Sequence, residues 1–350
     1  MKGLKFLFIL LLLIGIISCQ RKEESNQTNL KQSKSDLLYN QSKAICYSGY
    51  RSGQHPDRGD GAINPGYDEV LEDLTILAHN SNFNLIRVYD SGKNSEMVLQ
   101  VIKENGLNIK VMLGIWLRAE LSTHKTCEWL TEPIPDEILQ MNKGLNSKEI
   151  NKGIELANKY KDIIVAVNVG NEALVDWNDH KVSQDTMISY VEKVKKSIEQ
   201  PVSVAENYKW WADHGKKLAE VVDFISIHTY PLWERKDIDE GMAFTIENVL
   251  EVQNAFPDAQ LVISEAGWAT IASEFGNRAS QEKQKQYYEE LMNWASDMNI
   301  TTFFFEAFDE DWKGDPNNMM GAEKHWGLFT VDRKPKKVME KQYSFLTEDK

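Results

Sequence analysis

Eight short apolar segments recur along the chain, and stretches with helical spacing separate them. The segments are rich in Val, Ile and aromatic residues, which is typical of strands covered on both faces, as in a parallel sheet. They span residues 44–50, 84–90, 109–116, 163–172, 201–206, 224–230, 261–268 and 302–308. Between them, apolar residues recur every three or four positions, as in amphipathic helices. This alternation predicts an α/β fold with eight strand–helix units.

Eight such units over about 310 residues indicate a (β/α)8 TIM barrel, which we place as a single domain at residues 41–350. An open doubly wound sheet is the alternative. However, no G-x-G-x-x-G or G-x-x-x-x-G-K-[ST] element follows a strand, which removes the usual reason to prefer that sheet. After the last strand, a closing helix is predicted at residues 338–345.

The first residues are predicted to be a secretory signal rather than part of the barrel. Lys2 and Lys5 are followed by an apolar run at residues 6–17 and then by a small residue and Cys19. The run is short for a transmembrane helix. Its ending resembles a bacterial lipoprotein cleavage box, which implies a lipoprotein signal peptide at residues 1–19 with Cys19 as the lipidated residue. An uncleaved anchor and plain secretion are the alternatives.

Residues 20–40 are predicted to be a flexible tether, because their Gln, Asn, Ser and Lys residues can bury little surface. Within this stretch, Lys22-Glu23-Glu24 resembles the surface-export signal of lipoproteins in the Bacteroidetes group. The resemblance implies an exported lipoprotein held in the outer membrane or at the cell surface by its N-terminal lipid. Cys46 and Cys127 remain, and we expect free thiols, with a disulfide as the alternative.

Charge and composition narrow the class of partner. The net charge is -13, and the barrel segment carries no block of Lys or Arg, so a nucleic-acid partner is not expected. An acidic surface suits a protein that acts on neutral or cationic molecules. The chain has 10 Trp, 12 Tyr and 13 Phe. These aromatic residues can pack in the core, or they can stack against the C–H face of a pyranose ring.

Functional residues of such barrels lie at the C-terminal ends of the strands. Polar and aromatic residues at those positions are Tyr47, Arg87, Tyr89, Asp90, Trp116, Asn171, Glu172, Glu206, His228, Tyr230, Glu265, Trp268, Glu306, Asp309 and Glu310. The acids come from many strands without compact ligand spacing, so no metal site is predicted. No G-x-S-x-G turn for acyl transfer and no phosphate loop is present, so we expect no cofactor.

Two glutamates, Glu172 and Glu265, occupy similar positions in the sequence. Each comes at the end of an apolar run that is predicted to be a buried strand. A buried carboxylate is unfavourable unless its charge is used. The fourth and seventh strands lie on opposite sides of an eight-stranded barrel, so the two carboxylates can face each other across its mouth. Glycoside hydrolysis needs such a pair, one as proton donor and one ionised.

The motifs around these glutamates resemble those of glycoside hydrolase family 17, a family of β-1,3-glucanases and glucanosyltransferases. The two central motifs are Val169-Gly170-Asn171-Glu172 and Ser264-Glu265-Ala266-Gly267-Trp268. The resemblance covers most of residues 44–345 through Ile86-Arg87-Val88-Tyr89, His228-Thr229-Tyr230-Pro231, Phe305-Glu306-Ala307-Phe308-Asp309-Glu310, Trp312-Lys313 and Trp326-Gly327. Two departures, Ala266 and Ala269, stand where the eukaryotic pattern prefers Ser or Thr and Pro, which weakens the transfer of substrate detail.

The resemblance implies a retaining double displacement with Glu172 as acid/base and Glu265 as nucleophile. It implies that Asn171 binds the sugar 2-hydroxyl and that Tyr230 orients Glu265. The other candidate substrate-binding residues are Arg87, Tyr89, His228, Glu306 and Lys313, with Trp116, Trp233, Trp268 and Trp312 as sugar platforms.

The predicted activity is therefore cleavage of a laminarin-type β-1,3-glucan by a monomer. Three alternatives stay open: glucanosyl transfer at the same site, a non-catalytic glycan-binding lipoprotein, and a sister family that acts on β-1,4 or mixed-linkage chains. Paired acids argue against pure binding, since binding alone does not need them. The stretch from Leu117 to Asn146 is one of two places where the groove shape, and so endo or exo action, is expected to be set.

Overall fold

The computed structural model describes residues 30–57 and 61–347 of the chain. Eight parallel strands close into a barrel in sequential order, with the first strand paired to the last. The strands are β1 (Lys43–Cys46), β2 (Leu85–Arg87), β3 (Lys110–Ile115), β4 (Ile164–Asn171), β5 (Val202–Asn207), β6 (Ile225–Thr229), β7 (Leu261–Ala266) and β8 (Thr301–Phe304). Each overlaps one predicted segment, so the prediction of a single-domain TIM barrel is confirmed.

Helices follow the strands along the described chain. They are α1 (Tyr67–Ala78), α2 (Lys93–Asn105), α3 (Asp136–Lys159), α4 (Gln184–Lys195), α5 (Tyr208–His214), α6 (Lys216–Ala219), α7 (Ile238–Ala255) and α8 (Gln281–Met298). Local signals set several ends. The Ser183 hydroxyl accepts the backbone N–H of Thr186 at the start of α4, and Gly106, with φ of 59°, ends α2 in the left-handed region.

The hydrophobic core lies between the barrel and its helices and continues into the barrel interior. Large aromatic side chains are fully buried in it, including Trp211, Trp268 and Trp326. At the mouth, a side chain at Gly114 would come within 2.4 Å of the backbone oxygen of Tyr89. Glycine is therefore required there for β3 to approach the chain that leaves β2.

The described chain begins at Leu30, and its residues 30–40, which the sequence analysis assigns to the tether, pack against the barrel. Leu30 and Leu38 are buried against the barrel. The side-chain amide of Gln32 pairs with Leu261, donating to its carbonyl oxygen at 3.0 Å and accepting its N–H at 2.6 Å. The N–H of Leu38 donates to the Thr301 hydroxyl at 2.9 Å. The polar side chain of Gln32, which suggests a tether, therefore satisfies backbone groups at the start of β7.

The predicted closing helix at residues 338–345 is wrong, because this stretch forms turns and a short 3₁₀ helix at Ser344–Leu346. Individual buried hydrogen bonds, rather than an apolar face with helical spacing, hold the chain in place here. The Lys336 ammonium donates to Asp309 at 2.7 Å, and the Tyr343 hydroxyl accepts from the side chain of Asn82 at 2.9 Å.

Cys46 and Cys127 are both buried free thiols, as expected. Among the described residues, no helix has the length and apolar character needed to cross a membrane. Cys19, the Lys22-Glu23-Glu24 motif and the first part of the predicted tether lie outside the described residues.

A variant that begins at Leu30 should be as stable as the full chain, whereas one that begins at Gln41 should lose at least about 2 kcal/mol of unfolding free energy. The loss comes from two buried leucine side chains and the paired amide of Gln32. Urea denaturation followed by tryptophan fluorescence measures both variants. Equal denaturation midpoints would show that residues 30–40 add nothing to the fold.

Candidate active site

Glu172 and Glu265 both reach the mouth of the barrel, from β4 and β7. Glu172 directly follows β4 and has a φ of 47°, in the left-handed region that a non-glycine residue rarely adopts. Its N–H donates to the carbonyl oxygen of Ala205 on β5 at 2.9 Å, which holds the turn in place. Backbone strain of this kind is typical of functional sites.

His228, on β6, lies between the two carboxylates. Its Nδ1 is 2.9 Å from Oε1 of Glu172 and 3.4 Å from Oε2 of Glu265. The two oxygens are therefore separated by no more than the sum of 2.9 and 3.4 Å, about 6.3 Å. Nη1 of Arg87 is 3.2 Å from His228 Nε2. Because a guanidinium only donates, Nε2 accepts, and in the neutral ring Nδ1 carries the hydrogen that faces the carboxylates.

Arg87 also binds Glu265 and Asn171 directly. Its Nη1 donates to Oε1 of Glu265 at 2.7 Å, and its Nη2 donates to Oδ1 of Asn171 at 2.5 Å. The guanidinium is buried and lies 4.6 Å from the centre of the Tyr89 ring. Since Oδ1 of Asn171 accepts from Arg87, the N–H groups of the Asn171 amide are the donors it can offer to a ligand.

The pKa of Glu265 is lower than that of an ordinary glutamate, although the carboxylate is buried. Burial alone would raise this pKa, but the neighbouring His228 ring, the charge of Arg87 and the hydrogen bond from Tyr230 together lower it. The Tyr230 hydroxyl donates to Oε2 of Glu265 at 2.6 Å. Glu265 is thus held as an anion, with both oxygens engaged.

Two further carboxylates, Glu306 and Glu310, share the ammonium of Lys313. The distances from Nζ are 2.7 Å to Glu306 and 2.8 Å to Glu310, and both glutamates are buried. Burial raises the pKa of Glu306 well above its usual range, whereas Lys313 brings that of Glu310 below it despite burial. Lys313 also lies 4.5 Å from the centre of the Phe305 ring. This cluster forms one edge of the site and presents Lys313 to the cleft.

A cleft of about 1380 Å³ opens beside Glu265. Of the predicted site residues, those that line it are Tyr89, Trp116, Asn171, Glu265, Trp312 and Lys313. Arg87, His228 and Glu306 are buried behind this surface, and Tyr230 contacts Glu265 from the side. Within residues 30–57 and 61–347, no group of three or more His, Cys, Asp and Glu side chains could hold a metal ion.

The prediction of Trp268 as a sugar platform is wrong, because its side chain is 0% exposed. The strand ends at Ala266, and the chain then turns the indole outward against Tyr287 of α8, where its Nε1 donates to the carbonyl oxygen of Arg278. Trp233 is 39% exposed and packs against Phe275 and Trp326.

Two residues of the site had no role in the sequence-based prediction. His180 lies in the loop after β4, with Nε2 2.8 Å from the carbonyl oxygen of Asn171 and its ring 4.5 Å from that of Trp116. Glu206, at the end of β5, accepts the N–H groups of Leu174 and Asn207, each at 2.9 Å, and burial raises its pKa strongly. The expectation that functional residues lie at the C-terminal ends of the strands identifies Glu206 but not its role. It does not identify His180, which lies in a loop.

Comparison with known proteins shows that the sequence profile of the BtgE/BtgC glycoside hydrolase domain matches residues 44–327. A glucan 1,3-beta-glucosidase from Arthroderma benhamiae is 26% identical over 295 residues, which cover 80% of this chain and 86% of that protein. A putative glucan endo-1,3-beta-glucosidase btgC from Aspergillus niger is 28% identical over 293 residues, 77% of this chain but only 39% of that longer protein.

Solved structures share the barrel. An endo-laminarinase from Formosa Hel1_33_131 superposes with a TM-score of 0.73 and 25% identity over 90% of both chains. A glycoside hydrolase family 17 beta-1,3-glucanosyltransferase from Rhizomucor miehei superposes with a TM-score of 0.64 and 20% identity, over 87% of this chain and 97% of that one. The second likeness concerns the fold alone.

Tyr230→Phe should raise the pKa of Glu265, because it removes a hydrogen bond that favours the ionised form. At a given acidic pH, less of the carboxyl group is then ionised. A ¹³C NMR titration of carboxyl-labelled glutamate measures the shift, with Glu265→Gln identifying the resonance. Tyr287→Phe is the control, since that hydroxyl bonds Thr245 away from the mouth. A pKa that stays at the wild-type value in Tyr230→Phe would contradict this account of the site.

Proposed function

Because the chain belongs to the family of the BtgE/BtgC glycoside hydrolase domain, we propose that it is a glycosidase that cleaves a laminarin-type β-1,3-glucan with retention of configuration. The observation that carries the proposal is the pair of carboxylates bridged by His228, at most about 6.3 Å apart between the facing oxygens. Carboxyl groups of inverting glycosidases are roughly 6.5–9.5 Å apart, and those of retaining enzymes about 5–5.5 Å.

In the first step, Glu265 attacks the anomeric carbon of the sugar, and the bond from that carbon to the leaving oxygen breaks. Glu172 gives its proton to the leaving oxygen, so the leaving sugar departs as an alcohol. Arg87 and Tyr230 hold the Glu265 carboxylate ionised before the attack. His228 occupies Oε1 of Glu172, and we therefore assign the transferred proton to Oε2.

In the second step, Glu172 takes a proton from water, and the oxygen of that water bonds to the anomeric carbon as the bond to Glu265 breaks. Two inversions restore the β configuration. Asn171, oriented by Arg87, offers its amide N–H groups to the sugar 2-hydroxyl in both steps. The names of two similar proteins support the proposal that the substrate is a β-1,3-glucan. The Arthroderma protein is called a glucan 1,3-beta-glucosidase, and the Formosa protein is called an endo-laminarinase.

Glu172→Gln and Glu265→Gln should each lower kcat on laminarin at least about 100-fold, because each removes a group that transfers a proton or forms a bond. Reducing-sugar release measures the loss, and Glu104→Gln on the outer helix α2 is the control. Azide should restore turnover of Glu172→Ala on aryl glycosides with good leaving groups, which need no acid in the first step. A glutamine variant with near-normal turnover would remove that residue from the mechanism.

Proton NMR of the laminarin digest tests the reaction itself. Early β-anomeric short products support a retaining hydrolase. Products longer than the substrate would identify a glucanosyltransferase, which uses the same carboxylates but passes the sugar to another glucan. Binding without any product would leave a glycan-binding protein.

The N-terminal segment supports a proposal about location. We propose that the protein is an exported lipoprotein anchored through Cys19, on the signal pattern of residues 1–19. In a bacterial host, Cys19→Ala should abolish incorporation of a labelled fatty acid and release the enzyme from the membrane fraction, and Cys127→Ala should not. Membrane retention of unlabelled Cys19→Ala would show a different anchor.

A further inference from the structure

The helix α3 is longer than the other helices of the described chain. It has 24 residues, against 18 in α7 and α8, and at 1.5 Å per residue it is about 36 Å long. Its later half carries the residues that pack on the barrel, including Ile150, Leu156 and Ala157. Its first half needs another support.

That support comes from two buried asparagines, Asn142 and Asn146. The Asn146 amide accepts the N–H of Arg118 at 2.8 Å and donates to its carbonyl oxygen at 3.0 Å, and Asn142 donates to the carbonyl oxygen of Ala119 at 2.8 Å. Asn146 also donates to Glu120 at 2.8 Å. The chain that leaves β3 is thus bound along one face of α3, which fixes this half of the helix at the mouth.

Another face of the same half-helix is apolar and lines the cleft. Ile138, Met141 and Leu145 follow at spacings of three and four residues, so they form one stripe about 10 Å long. All three line the cleft that contains Glu265. Ile138 is 41% exposed and Met141 is 53% exposed. Such an aliphatic stripe inside a cleft indicates a surface that a ligand covers.

The rest of this part of the cleft is polar. Ser91, just before α2, and Asn94 and Ser95, in its first turn, line this part of the cleft. Glu149 lines it too and accepts the N–H of Ser91 at 2.6 Å and its hydroxyl at 2.7 Å. An aliphatic wall beside a polar floor matches a pyranose chain, which has C–H faces and hydroxyl edges. At about 1380 Å³, the cleft exceeds the roughly 300–1,000 Å³ of a site for one drug-sized ligand, so it has room for several sugar units.

We infer that Ile138, Met141 and Leu145 form a distal binding wall for the glycone, the part of a β-1,3-glucan on the non-reducing side of the cleaved bond. This inference rests on the function proposed above. It adds that the enzyme gains transition-state binding from sugars remote from the reacting carbon, and so favours long chains over short ones.

The positions of the two carboxylates set the direction of the chain. The sugar that bonds to Glu265 stays on the enzyme, and Glu265 and Asn171 both line the cleft. Glu172 contacts the same His228 ring nitrogen but is outside the residues that line the cleft, and the leaving part of the chain departs on its side. The retained part therefore runs from Glu265 into the cleft toward α3.

The test uses β-1,3-linked oligosaccharides, from the trisaccharide to the octasaccharide, labelled at the reducing end. The wild type should release short labelled fragments, because the long unlabelled part stays in the cleft. The double variant Ile138→Ser/Met141→Ser should lose roughly 10-fold in kcat/KM on the octasaccharide and keep the wild-type value on the trisaccharide. Met319→Ser is the matched control, because Met319 is 58% exposed and outside the residues that line the cleft.

Both replaced side chains are exposed, so the double variant should keep the wild-type Tm. Unchanged kcat/KM on the octasaccharide, or long labelled fragments from the wild type, would overturn the assignment of the wall and leave the proposed function intact. Failure of the wild type to cleave any of these oligosaccharides would overturn the proposed function, and the assigned wall with it.

Discussion

The buried guanidinium of Arg87 is the interaction on which the site depends. It donates to Glu265, to Asn171 and to the unprotonated nitrogen of His228, so one side chain sets the charge of the first, the orientation of the second and the tautomer of the third. A buried cation without its anion is strongly destabilising, and so is the reverse. The ion pair with Glu265 is consequently part of the fold as well as of the chemistry. It requires the ends of β2, β4, β6 and β7 to be in register.

The other buried charged groups at the mouth also have partners that compensate for their burial. Lys313 lies between Glu306 and Glu310 and neutralises one of them, while Glu206 is surrounded by backbone N–H groups in place of a cation. Each buried carboxylate therefore has a distinct protonation tendency.

Much of the architecture could be predicted, because parallel strands covered on both faces produce apolar runs that are visible in a single sequence. Glu172, Glu265, Arg87 and His228 were identifiable for the same reason, since each lies at the end of such a run. For Trp268 the position after an apolar run was not sufficient. It lies two residues past the end of β7, where the direction of a side chain depends on how the chain turns. His180 was missed because loop contacts leave no periodic signal. Gln32 was assigned to the tether because composition alone does not distinguish a polar side chain that binds backbone groups from one that is exposed to solvent.

The attachment of the N-terminal segment has a consequence for how the enzyme meets a polymer. Gln32 and Leu38 bind the first residues of β7 and β8, at the end of the barrel opposite to the mouth where Glu265 lies. Residues 32–38 therefore lie at the rear of the barrel. A bead or a fused protein joined directly ahead of Leu30 would face that rear end and leave the mouth free to receive a chain far larger than the barrel itself.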